Sequence, residues 1–228
     1  METYALEHPI LAVDVVILGI KDGHLQVLLA RRSEEPFQGV LALPGVAVHI
    51  DETLENAARR TLIEKAKWPS RAQEHIYLDQ LATFDALYRD PRGRTVSVAY
   101  LGLTRERPEN EEGVVWKRVS EIAKGSLPFD HHAILTTAVT RLRGKLRYTN
   151  IAKELLPETF RIEELQEVYE AILGRAVNRT NFRNKLLKIQ LIEQVRVLSD
   201  AVGKQGGRPP HLYRFTQNLL ETLARDFF

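Results

Sequence analysis

Pro44-Gly45-Val46-Ala47-Val48-His49-Ile50-Asp51-Glu52-Thr53-Leu54-Glu55-Asn56-Ala57-Ala58-Arg59-Arg60-Thr61-Leu62-Ile63-Glu64-Lys65-Ala66-Lys67 is a loop that feeds a helix. Thr53 stands where an N-cap hydroxyl is wanted, and Asp51 and Glu52 lie near the positive end of the helix dipole. Leu54, Ala58 and Leu62 then recur every four residues with Ala57 beside them, which gives residues 54–66 one apolar face. Strands flank this unit. Residues 9–20 are a nearly continuous apolar run that reads as a buried strand, with Lys21-Asp22-Gly23-His24 as a turn and 25–30 as the hairpin partner. Further strand signals fall at 41–43, 76–84, 95–103 and 114–119. A helix over 131–146, with Ile134, Ala138 and Leu142 spaced by four, closes a mixed α/β sandwich.

Beyond that helix the pattern changes. Residues 149–155 read as a short helix, and 162–173 as a clear one with Leu165, Val168, Tyr169 and Ile172 on its apolar side and Gly174 as a stop. Another helix covers 180–189 after Asn178-Arg179, and 191–198 and 211–215 alternate like two strands around the loop 199–210. Helix, turn, helix, hairpin is the order of a winged helix-turn-helix.

The chain has 228 residues, 44% hydrophobic and 27% charged, which fits one ordinary domain plus a small one and excludes a disordered or collagen-like chain. Its longest apolar runs, such as 15–20, fall far short of the roughly 20 residues of a transmembrane helix. Zero cysteines remove disulfides, thiol catalysis and thiolate metal sites. The acidic start lacks the basic and apolar regions of a secretion signal, so the expected compartment is a bacterial-type cytoplasm and its nucleoid. The charge is divided: residues 1–140 hold 16 basic and 20 acidic side chains, residues 141–228 hold 16 and 10. Between Arg175 and Arg214 nine basic residues face two acidic ones, an excess suited either to phosphates or to a solvated face.

The loop-helix at 44–67 resembles the Nudix box, GX5EX7REUXEEXGU, the signature of enzymes that cleave nucleoside diphosphates linked to another group. Glu52 and Arg60 stand eight apart as the box requires, Leu62 fills its apolar position, and Glu64 matches the first of its paired glutamates. The other positions differ: Val46, Thr61, Lys65 and Lys67 replace the opening Gly, a Glu, the second Glu of the pair and the closing Gly. Mg²⁺ wants several oxygen ligands, and Lys65 puts a cation where one of them belongs. Neither a catalytic residue nor a metal ligand is therefore expected, and Glu52 and Glu64 are expected to pair with Arg60.

Tyr88-Arg89-Asp90-Pro91-Arg92-Gly93-Arg94 joins two strands. Arg89, Arg92 and Arg94 offer forked donors suited to a diphosphate, and Arg32, after the second strand, is a fourth ligand candidate. A hairpin turn with solvated arginines is the plainer reading of the same residues. In Phe129-Asp130-His131, Asp130 is expected to cap the helix that begins at His131.

In the helix near 180, Phe182, Leu186 and Leu187 supply a core, leaving Arg179, Thr180, Asn181, Arg183, Asn184 and Lys188 polar. Arg pairs with guanine and Asn with adenine edges in a major groove, while Lys188 and the helix N-terminus suit phosphates. In the loop Gly203-Lys204-Gln205-Gly206-Gly207-Arg208-Pro209-Pro210, Lys204 and Arg208 are the wing candidates, Arg208 for a narrow minor groove. The plainer readings are a solvated helix and a flexible hairpin tip.

The order of parts, including Arg89-Asp90-Pro91-Arg92-Gly93-Arg94, Phe129-Asp130-His131, Leu165-Gln166-Glu167-Val168-Tyr169, Asn181-Phe182-Arg183 and Gly207-Arg208-Pro209 before Leu212-Tyr213, resembles the Nudix-related transcriptional regulators over nearly the whole chain. That resemblance implies an N-terminal Nudix-like α/β/α sandwich that senses ligand, over 1–147, and a C-terminal winged helix-turn-helix that binds DNA, over 148–228. It implies a repressor of NAD biosynthesis or salvage genes that acts as a homodimer on a double-stranded DNA operator, with ADP-ribose as effector and no cofactor or membrane. Related regulators answer to arabinose, which makes a sugar-responsive regulator the alternative. An active ADP-ribose hydrolase and a protein-interaction module are alternatives of other classes.

Overall fold

The computed structural model describes residues 8–69, 75–106, 112–195 and 211–217. The chain divides into two compact units, Met1–Leu18 with Gln26–Ala138, and Gly19–Leu25 with Val139–Phe228.

In the first unit the strand β1 (Ile10–Lys21) lies inside a mixed sheet. Val13, Val15, Val16, Ile17 and Leu18 on it are fully buried. A strand covered on both faces reads as an unbroken apolar run, which is why the sequence shows no alternation here. It pairs in parallel with β6 (Thr95–Leu103), from Ile10 opposite Thr95 to Leu18 opposite Leu103. On its other side stands the hairpin partner β2 (His24–Arg31), joined to it by a turn in which Asp22 and Gly23 both have positive φ, 51° and 71°. Two consecutive left-handed residues match the twist of a tight hairpin. The strand expected at 41–43 is β3 (Leu41–Ala42), on β2, and a further short strand that the sequence did not signal, β4 (Gly45–Ala47), follows it on β1. Pro44 separates them, having no N–H to give to a ladder. Strand β5 (Tyr77–Phe84) pairs antiparallel with β6, and β7 (Val114–Arg118) with β2.

Helix α1 (Leu54–Glu64) begins as expected at Thr53, whose hydroxyl accepts from the Asn56 N–H at 3.2 Å. Its buried face is Ala57, Ala58, Thr61 and Leu62, packed against Val13, Val15, Ile17 and Leu28; Leu54 is only partly buried. Fully burying an aliphatic side chain such as Leu62 contributes about 1.5–3 kcal/mol. Thr61 is tolerated in this core because its hydroxyl donates to the Ala57 carbonyl at 2.8 Å. Lys67 keeps a left-handed backbone, φ 55°, at the position where the box pattern has its closing Gly. The turn of the motif has outlived its glycine.

Helix α2 (His131–Tyr148) buries Ile134, Ala138 and Leu142 as their spacing predicts; its residues 131–138 fall in the first unit and 139–148 in the second. The second unit continues with a 3-10 helix (Ile151–Leu155), a two-residue strand β8 (Phe160–Arg161), α3 (Ile162–Leu173), α4 (Arg179–Lys188), β9 (Ile192–Val195) and β10 (Leu212–Phe215). The strands form an antiparallel sheet in the order β8-β10-β9. Tyr169 meets Phe182 at 4.9 Å between ring centroids and Phe160 meets Phe215 at 5.2 Å, locking α3, α4 and the sheet around one core. Gly174 stops α3 with φ 70° and its N–H on the Glu170 carbonyl. Among the described residues no helix is long and apolar enough to cross a membrane.

Candidate functional site

A cavity of about 420 Å³ in the first unit is lined by residues of β1 to β4, α1, the loop 85–94 and the start of α2. Of the four arginines expected at a ligand, Arg32, Arg89 and Arg92 line it. Arg94 points elsewhere, its Nη1 donating to the carbonyls of Asp85 at 2.7 Å and Ala86 at 3.4 Å. Two of these expected arginines converge on one ring: the guanidinium carbon of Arg32 is 4.9 Å and that of Arg92 5.9 Å from the Phe129 centroid. Arg92 is held by Asp90, Nε to Oδ1 at 3.0 Å and Nη2 to Oδ2 at 2.7 Å, whereas Arg32 donates to the carbonyls of Pro36 and Glu34. Burial, and then the charge of Arg92, lower the pKa of Arg32. Two guanidinium groups that disfavour each other beside one aromatic ring are suited to an anion. Phe129 itself has φ 54° and meets Phe37 edge-on at 5.0 Å.

Arg89 is placed differently. It is 8% exposed and its guanidinium grips two carboxylates: Nε and Nη2 donate to Asp130 at 2.8 and 2.6 Å, and Nη2 reaches Asp14 Oδ2 at 3.2 Å. Ser97 Oγ donates to the same Asp14 oxygen at 2.6 Å. Asp130 thus starts α2 with its carbonyl, which receives the Ala133 and Ile134 N–H groups, while its carboxylate faces Arg89 and not the helix end. That corrects the expected side-chain cap: a forked guanidinium is a stronger partner for a carboxylate than a neutral N–H. His131 is buried, with Nδ1 accepting the Leu43 N–H at 3.0 Å. Asp14, Phe129 and His131 went unnamed as site residues, although Asp14 carries a signal: it is the one charge inside the apolar run of residues 9–20.

The box residues do not fit a metal. Glu52 receives Arg60 Nε at 3.1 Å and Nη2 at 2.5 Å, Glu64 receives Arg60 Nη1 at 3.1 Å, and Arg60 also reaches the Ala47 carbonyl at 2.8 Å. The hydrogen bonds from Arg60, and then from the His49 N–H, bring the pKa of Glu52 down to about 2. Thr61 turns back to its own helix, and Lys65 lines the cavity as a cation. Hydrolysis of a diphosphate through Mg²⁺ needs several free oxygen ligands, and these side chains supply arginine-bound carboxylates and an ammonium group.

In the second unit α4 begins at Asn178, whose Oδ1 accepts the Asn181 N–H at 3.0 Å. Arg179, Thr180, Asn181 and Lys188 are exposed, with Arg179 paired to Glu163. Arg183 is half-buried, and its Nε donates to the Tyr213 hydroxyl at 2.8 Å, tying α4 to β10. The turn before α4 is pinned by Glu170, whose Oε1 accepts from Val177 N–H at 2.7 Å and Gln166 Nε2 at 2.9 Å. The result is a short helix, capped at its N-terminus and tied to β10 at its middle, that presents Thr180, Asn181 and Lys188 to solvent. Lys204 and Arg208, expected in the wing, lie outside the described residues.

Comparison with known proteins matches both parts. Residues 9–138 match the NUDIX domain and residues 152–215 the NrtR DNA-binding winged helix domain. The chain is 36% identical over 214 residues, 91% of its length and 82% of the relative's, to the ADPR responsive transcriptional repressor NtrR of Acinetobacter baylyi. The crystal structure of Shewanella oneidensis NrtR complexed with a 27mer DNA is similar with a TM-score of 0.72 and 32% identity, covering 90% of this chain and 93% of that one. The NUDIX domain of that same protein, solved in complex with ADP ribose, is similar with a TM-score of 0.53 and 33% identity over 62% of this chain and 94% of that one. Similarity extends to an ADP-ribose pyrophosphatase of Methanocaldococcus jannaschii, 31% identical over 56% of this chain and 72% of the relative.

Proposed function

We propose that this chain, which belongs to the NrtR family of Nudix-related transcriptional regulators, is a repressor of NAD biosynthesis or salvage genes that releases its operator when ADP-ribose fills the Nudix cavity. The observation that carries this reading is the pair of guanidinium groups, Arg32 and Arg92, over Phe129 in a cavity whose box carboxylates are bound by Arg60. The first arrangement suits a diphosphate, and the second supports binding without hydrolysis. Arg32 and Arg92 are the phosphate contacts, Arg89 holds the cavity floor, and Arg94 supports the loop through Asp85 and Ala86. The sensor occupies residues 1–147 and the winged helix 148–228.

On DNA, Thr180 and Asn181 face base edges, Arg179 and Lys188 face phosphates, Arg183 braces the recognition helix, and Lys204 and Arg208 serve the wing. Two copies reading two half-sites of one duplex form the working homodimer, acting at the nucleoid in the cytoplasm. ADP-ribose can release DNA only by binding the DNA-free form more tightly.

Titration calorimetry with ADP-ribose, without and then with Mg²⁺, followed by analysis of the nucleotide, tests the sensor half. A sensor gives saturable binding that does not need Mg²⁺ and returns intact ADP-ribose. Mg²⁺-dependent appearance of AMP would make the chain a hydrolase.

A further inference from the structure

We propose that Asp14 and His131 together recognise one hydroxyl group of the ligand's terminal ribose, the sugar that ADP lacks, so that the cavity selects ADP-ribose over ADP. This deepens the ADP-ribose reading and rests on it.

The argument starts from protons. The Leu43 N–H donates to His131 Nδ1 at 3.0 Å, so that nitrogen carries no proton and the ring's single N–H is on Nε2. Burial lowers the pKa of His131, which keeps the ring neutral in this tautomer. Nε2 faces Asp14 Oδ1 across 3.6 Å, too far for a good direct hydrogen bond. The other Asp14 oxygen is already engaged by Ser97 and Arg89 at 2.6 and 3.2 Å, which fixes the carboxylate and aims Oδ1 at the ring. A fixed donor and a fixed acceptor thus stand side by side, and both residues line the cavity that holds Arg32 and Arg92. A hydroxyl is the group that accepts from one and donates to the other at once. A phosphate oxygen at this place would meet the Asp14 charge and be repelled.

Gly45 makes the arrangement possible. A Cβ there would stand 2.2 Å from Asp14 Oδ1 and 3.0 Å from the Val13 carbonyl, so any side chain would push the carboxylate from its position. The sequence keeps an open backbone exactly opposite Asp14 in the β1 to β4 register.

Two substitutions separate recognition from folding. In Asp14→Asn the carbonyl oxygen must turn to Ser97 and Arg89, which puts an NH₂ group where Oδ1 was, a donor facing a donor. In His131→Asn the amide oxygen takes the place of Nδ1 and keeps the Leu43 bond, while the Nε2 donor is lost. The readout is the ratio of Kd for ADP to Kd for ADP-ribose, measured by calorimetry on the full chain, with thermal melting to confirm folding. The wild type prefers ADP-ribose by about tenfold or more, and either variant brings the ratio close to one. If the wild type and both folded variants keep the same preference, the hydroxyl assignment is wrong while the effector reading stands. If the wild type binds ADP and ADP-ribose equally, the assignment falls as well; if it binds neither, the effector reading falls and takes the assignment with it.

Discussion

Arg89 and Asp130 meet in a parallel fork, Nε to Oδ2 at 2.8 Å and Nη2 to Oδ1 at 2.6 Å, and the same guanidinium reaches Asp14 from the other side. The Arg89 side chain is 4% exposed, so removing it leaves carboxylates in a low-dielectric site without their cation. Breaking one partner of a buried pair costs about 3–5 kcal/mol. Arg89→Ala should lose stability of that order in urea unfolding. Arg89→Lys should recover part of it, since an ammonium group supplies charge but no fork. A loss below about 0.5 kcal/mol, the range of ordinary surface changes, would show that Arg89 is not a structural brace.

Arg32 and Arg92 share the Phe129 ring, and Arg94 lies outside the cavity lining. Calorimetry on single alanine variants should therefore split the arginines. Arg32→Ala and Arg92→Ala should each weaken ADP-ribose binding by about tenfold, the scale of one charge-assisted hydrogen bond. Arg94→Ala should change it little. Indifference to both Arg32 and Arg92 would favour a neutral sugar as the effector.

On α4, Asn181 is exposed and Arg183 is tied to Tyr213. Asn181→Ala should lower specific DNA affinity by about 1–3 kcal/mol with the melting temperature unchanged. Lys188→Ala should weaken binding on all sequences alike and reduce the slope of log affinity against log salt by about one. Arg183→Ala should lower thermal stability as well as affinity, because it severs α4 from β10. Gel-shift titrations at two salt concentrations, beside thermal melts, separate the three.

Glu52 titrates near 2 in the folded chain, against an ordinary carboxyl value of 4.5. A carboxyl whose folded pKa is depressed adds stability above the unfolded pKa and loses it as pH falls towards the folded one. The Glu52 to Arg60 contribution should thus be complete above pH 4.5 and fade between 4.5 and 2. Glu52→Gln should flatten that part of the melting-temperature profile and leave its shape near neutrality unchanged. An unaltered acid limb would remove the pair from the stability of the loop-helix.

What the sequence could say followed from local signals. Helix α3 and its Gly174 stop, the Thr53 cap, and the buried run of β1 are written in adjacent residues. Strands β4 and β8, three and two residues long, carry no period to detect. The site was legible in its parts and not in their roles. Arg89 looks like a ligand arginine in its own loop, since its partners Asp14 and Asp130 lie 75 and 41 residues away. Conversely, Glu52 just precedes α1 and Arg60 lies within it, eight residues on, so their pairing could be read directly.

The most direct test of an ADP-ribose-responsive repressor uses the tightest duplex that the purified chain selects from a random-sequence pool. Fluorescence anisotropy of that duplex with the full chain at fixed salt, titrated with ADP-ribose, should fall to the value of free DNA, with ADP less effective at equal concentration. Anisotropy that stays at its bound value through saturating ADP-ribose would contradict the proposed regulation, whatever the chain binds in its cavity.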